Sequence, residues 1–572
     1  MSETPRPVVA PAPASGTSPA DEVADTSERT GKSRLPDMSR RTFLGSIGAG
    51  AAVATVGVGI LGHAREALAA TDDTVGMTPT KRRAAARKLR IKTARESARR
   101  PVPQQLNNGE EQDYPYVANF SKGLPHNALG EVDAAAYAAL LKALSTRSLS
   151  DFEAIPLGGT RPLRNPQAGA DFDLQGPDAG CLTFAPAPRI DSAQNASEMA
   201  ELYWMALCRD VPFTSYATDL NLIEPAARDL AQFSDYRGPT NPAALFRGDT
   251  DGDLDGPYVS QFLLRDVPYG TLTISHRQNT FLPNINYVTN YDTWLAIKNG
   301  KAPSASPAYD PTPRYIRNGR DLAAYVGIDA LYEAYLNAAL ILMGLGAPLD
   351  AGNPYESFTK TDAFGTFGGP HILSLVTEVA TRALKAVWFQ KWYVHRRLRP
   401  EEFGGRIHNH MTGAASYPIN SEILQSDVLN RIYSQYGTYL LPQAFPEGSP
   451  LHPAYGSGHA TVGGACVTIL KAWFDESWII PDAVVSNTAG TALTTYSGPG
   501  AGALTVGGEL NKVAANIAIG RNFAGIHWHS DYSESLKLGE QVAIGLLEEQ
   551  KGCYIEGGSF TLTKFDGTTI TI

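Results

Sequence analysis

From about residue 130 onward, apolar positions recur every three or four residues over long stretches, the spacing of one buried helical face. The pattern predicts helices over 131–147, 195–208, 321–345, 371–395, 459–474 and 532–550. In 371–395, HILSLVTEVATRALKAVWFQKWYVH, Ile372, Leu375, Val379 and Ala383 fall on one stripe that no Pro or Gly interrupts. This helix is expected to stop at Arg399-Pro400, since a proline disfavours helical backbone in the residue before it. Loops rich in Pro, Gly, Asn and Asp join the helices, notably 238–258 and 345–370. The last residues, FTLTKFDGTTITI (560–572), alternate around Asp566-Gly567 and predict a terminal β-hairpin. The expected fold class is therefore mainly α, with a small C-terminal β-hairpin.

The N-terminal residues break this pattern. Residues 1–38 are rich in Pro, Ala, Ser and acidic groups. SRRTFLG (39–45) follows, then a Gly/Ala/Val run to about Leu61 and AREALAA (64–70). An Arg40-Arg41 pair before a weakly apolar run and a small-residue site reads as a twin-arginine export signal, cleaved near Ala69 or Ala70. The run is too short and too Gly-rich for a membrane span of about 20 residues. The expected location is periplasmic or extracellular.

Charge divides the chain again. Segment 71–100 holds ten bases against three acids, whereas 1–70 is neutral, so the total of −9 leaves −16 for residues 101–572. So acidic a body is a poor partner for nucleic acid. The basic segment is expected to lie on that body or on a neighbouring subunit. Four cysteines, at 181, 208, 466 and 553, are too few and scattered for a disulfide framework or a zinc motif, and no pairing is readable.

Three segments carry candidate chemistry. In HPAYGSGHA (452–460), Ser457 stands where a helix begins, and Gly458 lets its N–H approach a bound group. A helix N-terminus favours an oxyanion, and His459 would sit on the first turn beside it. In KWYVHRRLRPEEFGG (391–405), Lys391, Arg396, Arg397 and Arg399 lie within nine residues; Lys391 follows an apolar run and Arg399 is pinned by Pro400. Fixed cations at a helix end suit a phosphate-like group. In GRNFAGIHWHSD (520–531), Arg521 precedes His527 by six, and Asp531 follows it by four, placed to hold a ring N–H and fix the tautomer. A zinc site from His527, His529, His408 and His410 is disfavoured, because the surrounding cations would repel it. Many donors and no carboxylate pair fit a tetrahedral or trigonal-bipyramidal oxyanion.

The order Lys…Arg-Pro, then Ser-Gly-His, then Arg…His resembles the superfamily uniting vanadium-dependent haloperoxidases with type-2 phosphatidic acid phosphatases. It is closest to the algal-type vanadium bromoperoxidase branch. Seven residues separate Lys391 from Arg399, where phosphatases and fungal-type chloroperoxidases have six, and His452 stands seven before His459. RNFAGIH and FRGDTDGDLDGPYVSQFLLRDVPYG (246–270) are also similar to that branch. The resemblance implies two four-helix bundles, a catalytic domain over 111–572, vanadate as cofactor, and a homo-oligomer, dimer or larger; the charge pattern sets a basic arm at 71–110 ahead of that domain. It implies that His527 bonds vanadium, and that Lys391, Arg399, Arg521, Ser457, Gly458 and His459 contact the vanadate oxygens. His459 would serve as acid–base, Lys391 would polarise bound peroxide, and His452 would stand where halide arrives. Hydrogen peroxide, a halide (bromide before chloride or iodide) and a small organic acceptor are the implied reactants. The rival is an exported acid phosphatase of the same fold with His527 as nucleophile.

Two positions depart from the family pattern. Gly456 replaces the usual Pro before Ser-Gly-His. Trp388, three before Lys391, matches chloride-oxidising members, so Trp388 and His452 point to different halides. Separately, in the Asp249–Asp255 turn DTDGDLDG (249–256), Asp251, Asp253 and Asp255-Gly256 copy the first half of a calcium loop, but Phe262 occupies the place of its final Glu. An acidic surface turn is expected there, with structural calcium as the alternative.

Overall fold

The structure is a computed structural model that describes residues 78–572. The export signal expected around Arg40-Arg41 lies outside the described residues. The chain divides into a body, Arg100–Ile572, and the segment before it. The described part of that segment is one helix, Pro79–Ser97, capped by Thr78 and opened by Pro79, with no buried residue. Its cations lie on every face, so it has no apolar stripe of its own to bury.

Four helices form the centre of the body: Gly369–Phe389, Gly458–Lys471, Val506–Phe523 and His529–Lys551. The second and fourth approach closely because of two glycines. A Cβ on Gly464 would meet the Leu536 carbonyl oxygen at 2.1 Å, and one on Gly539 the Thr461 carbonyl oxygen at 2.0 Å. Around Ala193–Cys208 a second group gathers from shorter helices, Ile223–Leu230, Ser421–Gln425 and Asp427–Tyr436. The C-terminal hairpin pairs Thr561–Thr563 with Thr569–Thr571. Two further short hairpins, at Val267–Ile274 and Val484–Thr495, complete the β structure among the described residues.

Three departures from the periodicity matter for the site. The helix expected over 321–345 is two, Gly319–Ile328 and Glu333–Leu345, bent by 102°. Asp329 takes an extended conformation at the break, and its carboxylate turns to His459. The helix expected over 371–395 ends as α-helix at Phe389 and continues as a π turn, Gln390–His395, closed by Arg396 in the left-handed region. Pro400 then opens a new helix, Pro400–Met411, because its missing N–H costs nothing in the first turn. Arg399 is the residue before that helix, and the Glu402 carboxylate accepts its N–H at 3.0 Å.

The start of this helix is anchored by two lysines from earlier in the chain. Lys122 pairs with Glu401 and Lys298 with Glu402, all four side chains fully buried. No single helix among the described residues is long and apolar enough to cross a membrane.

Candidate active site

Ser457 caps the Gly458–Lys471 helix, its hydroxyl accepting the Ala460 N–H at 3.3 Å. The first N–H groups of such a helix have no intrahelical acceptor, so Gly458 and His459 present theirs at the helix mouth. Trp388 explains the glycine at 458, since a Cβ there would meet its ring at 3.2 Å. Ser535 accounts for Gly456: its hydroxyl accepts the Ser457 N–H at 2.8 Å and lies 2.3 Å from where a Cβ on Gly456 would be.

The cations come from the wide turn and the residues after it. Lys391 Nζ donates to the Pro453 and Ala454 carbonyls at 2.7 and 3.0 Å, leaving one of its three donors uncommitted. The Arg399 guanidinium spans two histidines: it lies 3.0 Å from His527 Nε2 and 2.9 Å from His452 Nδ1, and donates to the Ile526 and His452 carbonyls. Arg521, near the end of Val506–Phe523, donates to the Val326 carbonyl. Its Nε is buried without a hydrogen-bond partner. Trp388 lies against His452, with ring centroids 4.7 Å apart, and 5.7 Å from Lys391 Nζ.

His527 is oriented from behind. Its Nδ1 lies 2.7 Å from the Asp531 carboxylate, so Nε2 is the nitrogen turned to the cradle. The pair does not span a helical turn. His527 precedes the helix, and Asp531 sits in its first turn, also accepting the Trp528 N–H at 3.1 Å. His459 Nε2 meets Asp329 Oδ1 at 3.0 Å.

Burial and mutual repulsion govern the charges. Burial, then Arg399, holds Lys391 well below the usual lysine range. Burial lowers Arg399 to about 9 and Arg521 to about 10; Asp531 opposes this at Arg399, and Asp329 and Glu447 at Arg521. Burial, then Arg399 and Lys391, keeps His452 and His527 well below the ordinary imidazole value. Burial takes His459 to about 4 although Asp329 pulls the other way. Asp531 is committed to His527 and Arg397, and Asp329 to His459. What remains is a buried cluster of cations whose burial and mutual repulsion an oxyanion would relieve and a metal cation would aggravate. The orphaned Arg521 Nε is a donor that an oxyanion would satisfy. The residues therefore fit vanadate.

Other candidates fall elsewhere. His529 pairs with Glu201, while His408 and His410 accept the N–H groups of Tyr439 and Tyr417. No group of three or more His, Cys, Asp or Glu among the described residues is arranged to hold a metal ion. In the acidic turn, Asp253 accepts from Thr250 and Asp249 from the Tyr532 hydroxyl, so these carboxylates face different partners. The four cysteines are unpaired. Asp329 and Ser535, both touching the site, went unread because neither lies in a recognisable spacing with the residue it contacts.

Residues 373–553 match the family described as the VCPO second helical-bundle domain. The chain is 38% identical to the vanadium-dependent bromoperoxidase of Corallina pilulifera, covering 84% of this chain and 97% of that protein. It is 36% identical to the vanadium-dependent bromoperoxidase of Ascophyllum nodosum, covering 82% and 88%. The fold superposes on the second vanadate-dependent bromoperoxidase of Ascophyllum nodosum, solved as a homohexamer, with a TM-score of 0.83 and 32% identity over 87% of this chain and 91% of that one. Relatedness on this scale extends well beyond the cradle into both helical groups, and the chain belongs to the vanadium-dependent bromoperoxidase family.

Proposed function

We propose that the protein is an exported vanadate-dependent peroxidase that uses hydrogen peroxide to oxidise bromide, yielding a hypohalous species that halogenates small organic acceptors. The buried cluster of Lys391, Arg399 and Arg521 opposite His527 Nε2 carries this reading, because a bound anion would relieve its burial and mutual repulsion. His527 would bond the metal through Nε2. Arg399, Arg521 and Lys391, with the Ser457 hydroxyl and the Gly458 N–H, would hold the oxygens. Bound vanadate supplies a Lewis-acidic centre that activates peroxide toward halide while the metal stays oxidised.

The chain's own groups do the rest. With Asp329 behind it, His459 is neutral above about pH 4 and can accept a proton from incoming peroxide at the helix mouth. The uncommitted donor of Lys391 stabilises negative charge developing on oxygen. His452 and Trp388 form one wall of the cradle, which supports their meeting the halide together. Burial of all these groups excludes bulk water and strengthens each interaction.

The arginine pair at 40–41 supports export, and the homohexameric relative supports a homo-oligomer, with the basic segment around Pro79–Ser97 as its joining arm. The test of function is vanadate-loaded protein assayed for peroxide-dependent bromination of a phenol dye beside hydrolysis of an aryl phosphate. Bromination without hydrolysis is expected; the reverse would make it a phosphatase.

A further inference from the structure

The three arginines of HRRLRP part company in the fold. Arg396 turns out to Glu111, Arg399 turns into the cradle, and Arg397 turns to the far side of His527. There one nitrogen of the Arg397 guanidinium donates to Asp531 Oδ1 at 2.9 Å and the Ser530 hydroxyl at 2.8 Å. The other reaches Asn195 Oδ1 at 3.1 Å and Glu198 Oε2 at 3.3 Å. Ser530 in turn donates to Glu198 at 2.8 Å. The fork lies 4.6 Å from the Trp528 ring centroid and 5.7 Å from that of Tyr455. Its backbone carbonyl accepts the Ala454 N–H at 3.0 Å, beside the carbonyl that receives Lys391.

We propose that Arg397 is a positioning residue that sets how strongly His527 bonds the metal, acting through Asp531, with Asn195 and Glu198 aiming it. This rests on the reading of the site as a vanadate cradle. The geometric reason is an occupancy rule. A carboxylate has two oxygens, and Arg397 takes Oδ1, so Oδ2 is left to receive the His527 Nδ1–H and the Trp528 N–H. That fixes the carboxylate plane, the ring plane and the tautomer that leaves Nε2 as the donor atom. A planar fork with four fixed acceptors and an aromatic face can do this, whereas a point charge cannot. Asn195 and Glu198 stand on Ala193–Cys208, outside the matched bundle at 373–553, so the second helical group reaches the His527–Asp531 pair through the Arg397 side chain.

The test compares anions that do and do not coordinate nitrogen. Apoprotein is titrated calorimetrically with vanadate and with sulfate, which only the cations and N–H groups would hold. Wild type should prefer vanadate; failure to do so overturns the reading of the site itself. Arg397→Met should weaken vanadate binding by about 10–100-fold, the usual cost of losing such a supporting partner, and leave sulfate unchanged. Arg397→Lys should restore only part of the loss. Glu198→Gln, which leaves the fork in place, should shift vanadate alone in the same direction by less, and decides the matter if Arg397→Met does not fold. Selective wild type with vanadate affinity unchanged in these variants, or with vanadate and sulfate weakened alike, overturns the role of Arg397.

Discussion

His527 and Asp531 meet at 2.7 Å through Nδ1, while the other ring nitrogen lies 3.0 Å from the Arg399 guanidinium. One residue is thus clamped by an anion behind and faced by a cation in front. Asp531→Ala is expected to weaken vanadate binding by about 10–100-fold. Asp531→Asn should lose less, since an amide oxygen can still accept the Nδ1–H. Calorimetric titration of the purified apoprotein checks both.

His459 titrates at about 4 in the structure. Its folded value lies below the unfolded value of about 6.5, so the folded ring is neutral where the unfolded ring takes a proton. This ring therefore costs the apoprotein stability as pH falls from about 6.5 toward 4. Asp329→Asn removes the group that pulls the value up and should lower it further, and a bound oxyanion should raise it. Ring NMR of labelled protein, with and without phosphate, reads all three directions.

Lys298 and Glu402 are a fully buried pair, and Glu402 also takes the Arg399 N–H. Lys298→Met strands a buried carboxylate and should cost about 3–5 kcal/mol, seen as a lowered urea midpoint. Because Glu402 holds the backbone of Arg399, oxyanion affinity should fall with it.

The Pro79–Ser97 helix carries cations without an apolar face, and the body after residue 100 is strongly acidic. Replacing Arg83, Arg87 and Arg90 with Glu should shift native mass spectra toward smaller assemblies. The wild-type oligomer should show the same shift as salt rises, because exposed charge pairs are screened over about 8–10 Å. Assemblies indifferent to both changes would count against the arm.

The cradle was legible because its members are chemically costly to bury and come in three short runs. Lys391, Arg399, Arg521 and the Ser457–His459 turn announce themselves as cations and a helix start set among apolar residues. Asp329 was not legible. It lies 130 positions before His459, inside what periodicity reads as one continuous helix, and only the tertiary contact gives it a role. The Val506–Phe523 helix was missed for the opposite reason: every residue in it is buried, Glu509, Lys512, Asn516 and Arg521 included, so it has no solvent face for its polar positions to mark. Arg397 was visible as a charge, but nothing local distinguishes it from Arg396, which pairs with Glu111.

The π turn at Gln390–His395 has a consequence for how this cradle relates to shorter ones. Arg396 N–H reaches back five residues to the Lys391 carbonyl at 3.0 Å, one residue more than an α-helical loop encloses. The Lys-to-Arg interval of this branch is longer than the phosphatase interval by the same single residue. A wide loop can house such an insertion without turning Lys391 or Arg399 away from a shared guest. Deletion of one residue between Trp392 and His395 is then expected to tighten the coil to ordinary pitch, with oxyanion affinity retained in calorimetric titration.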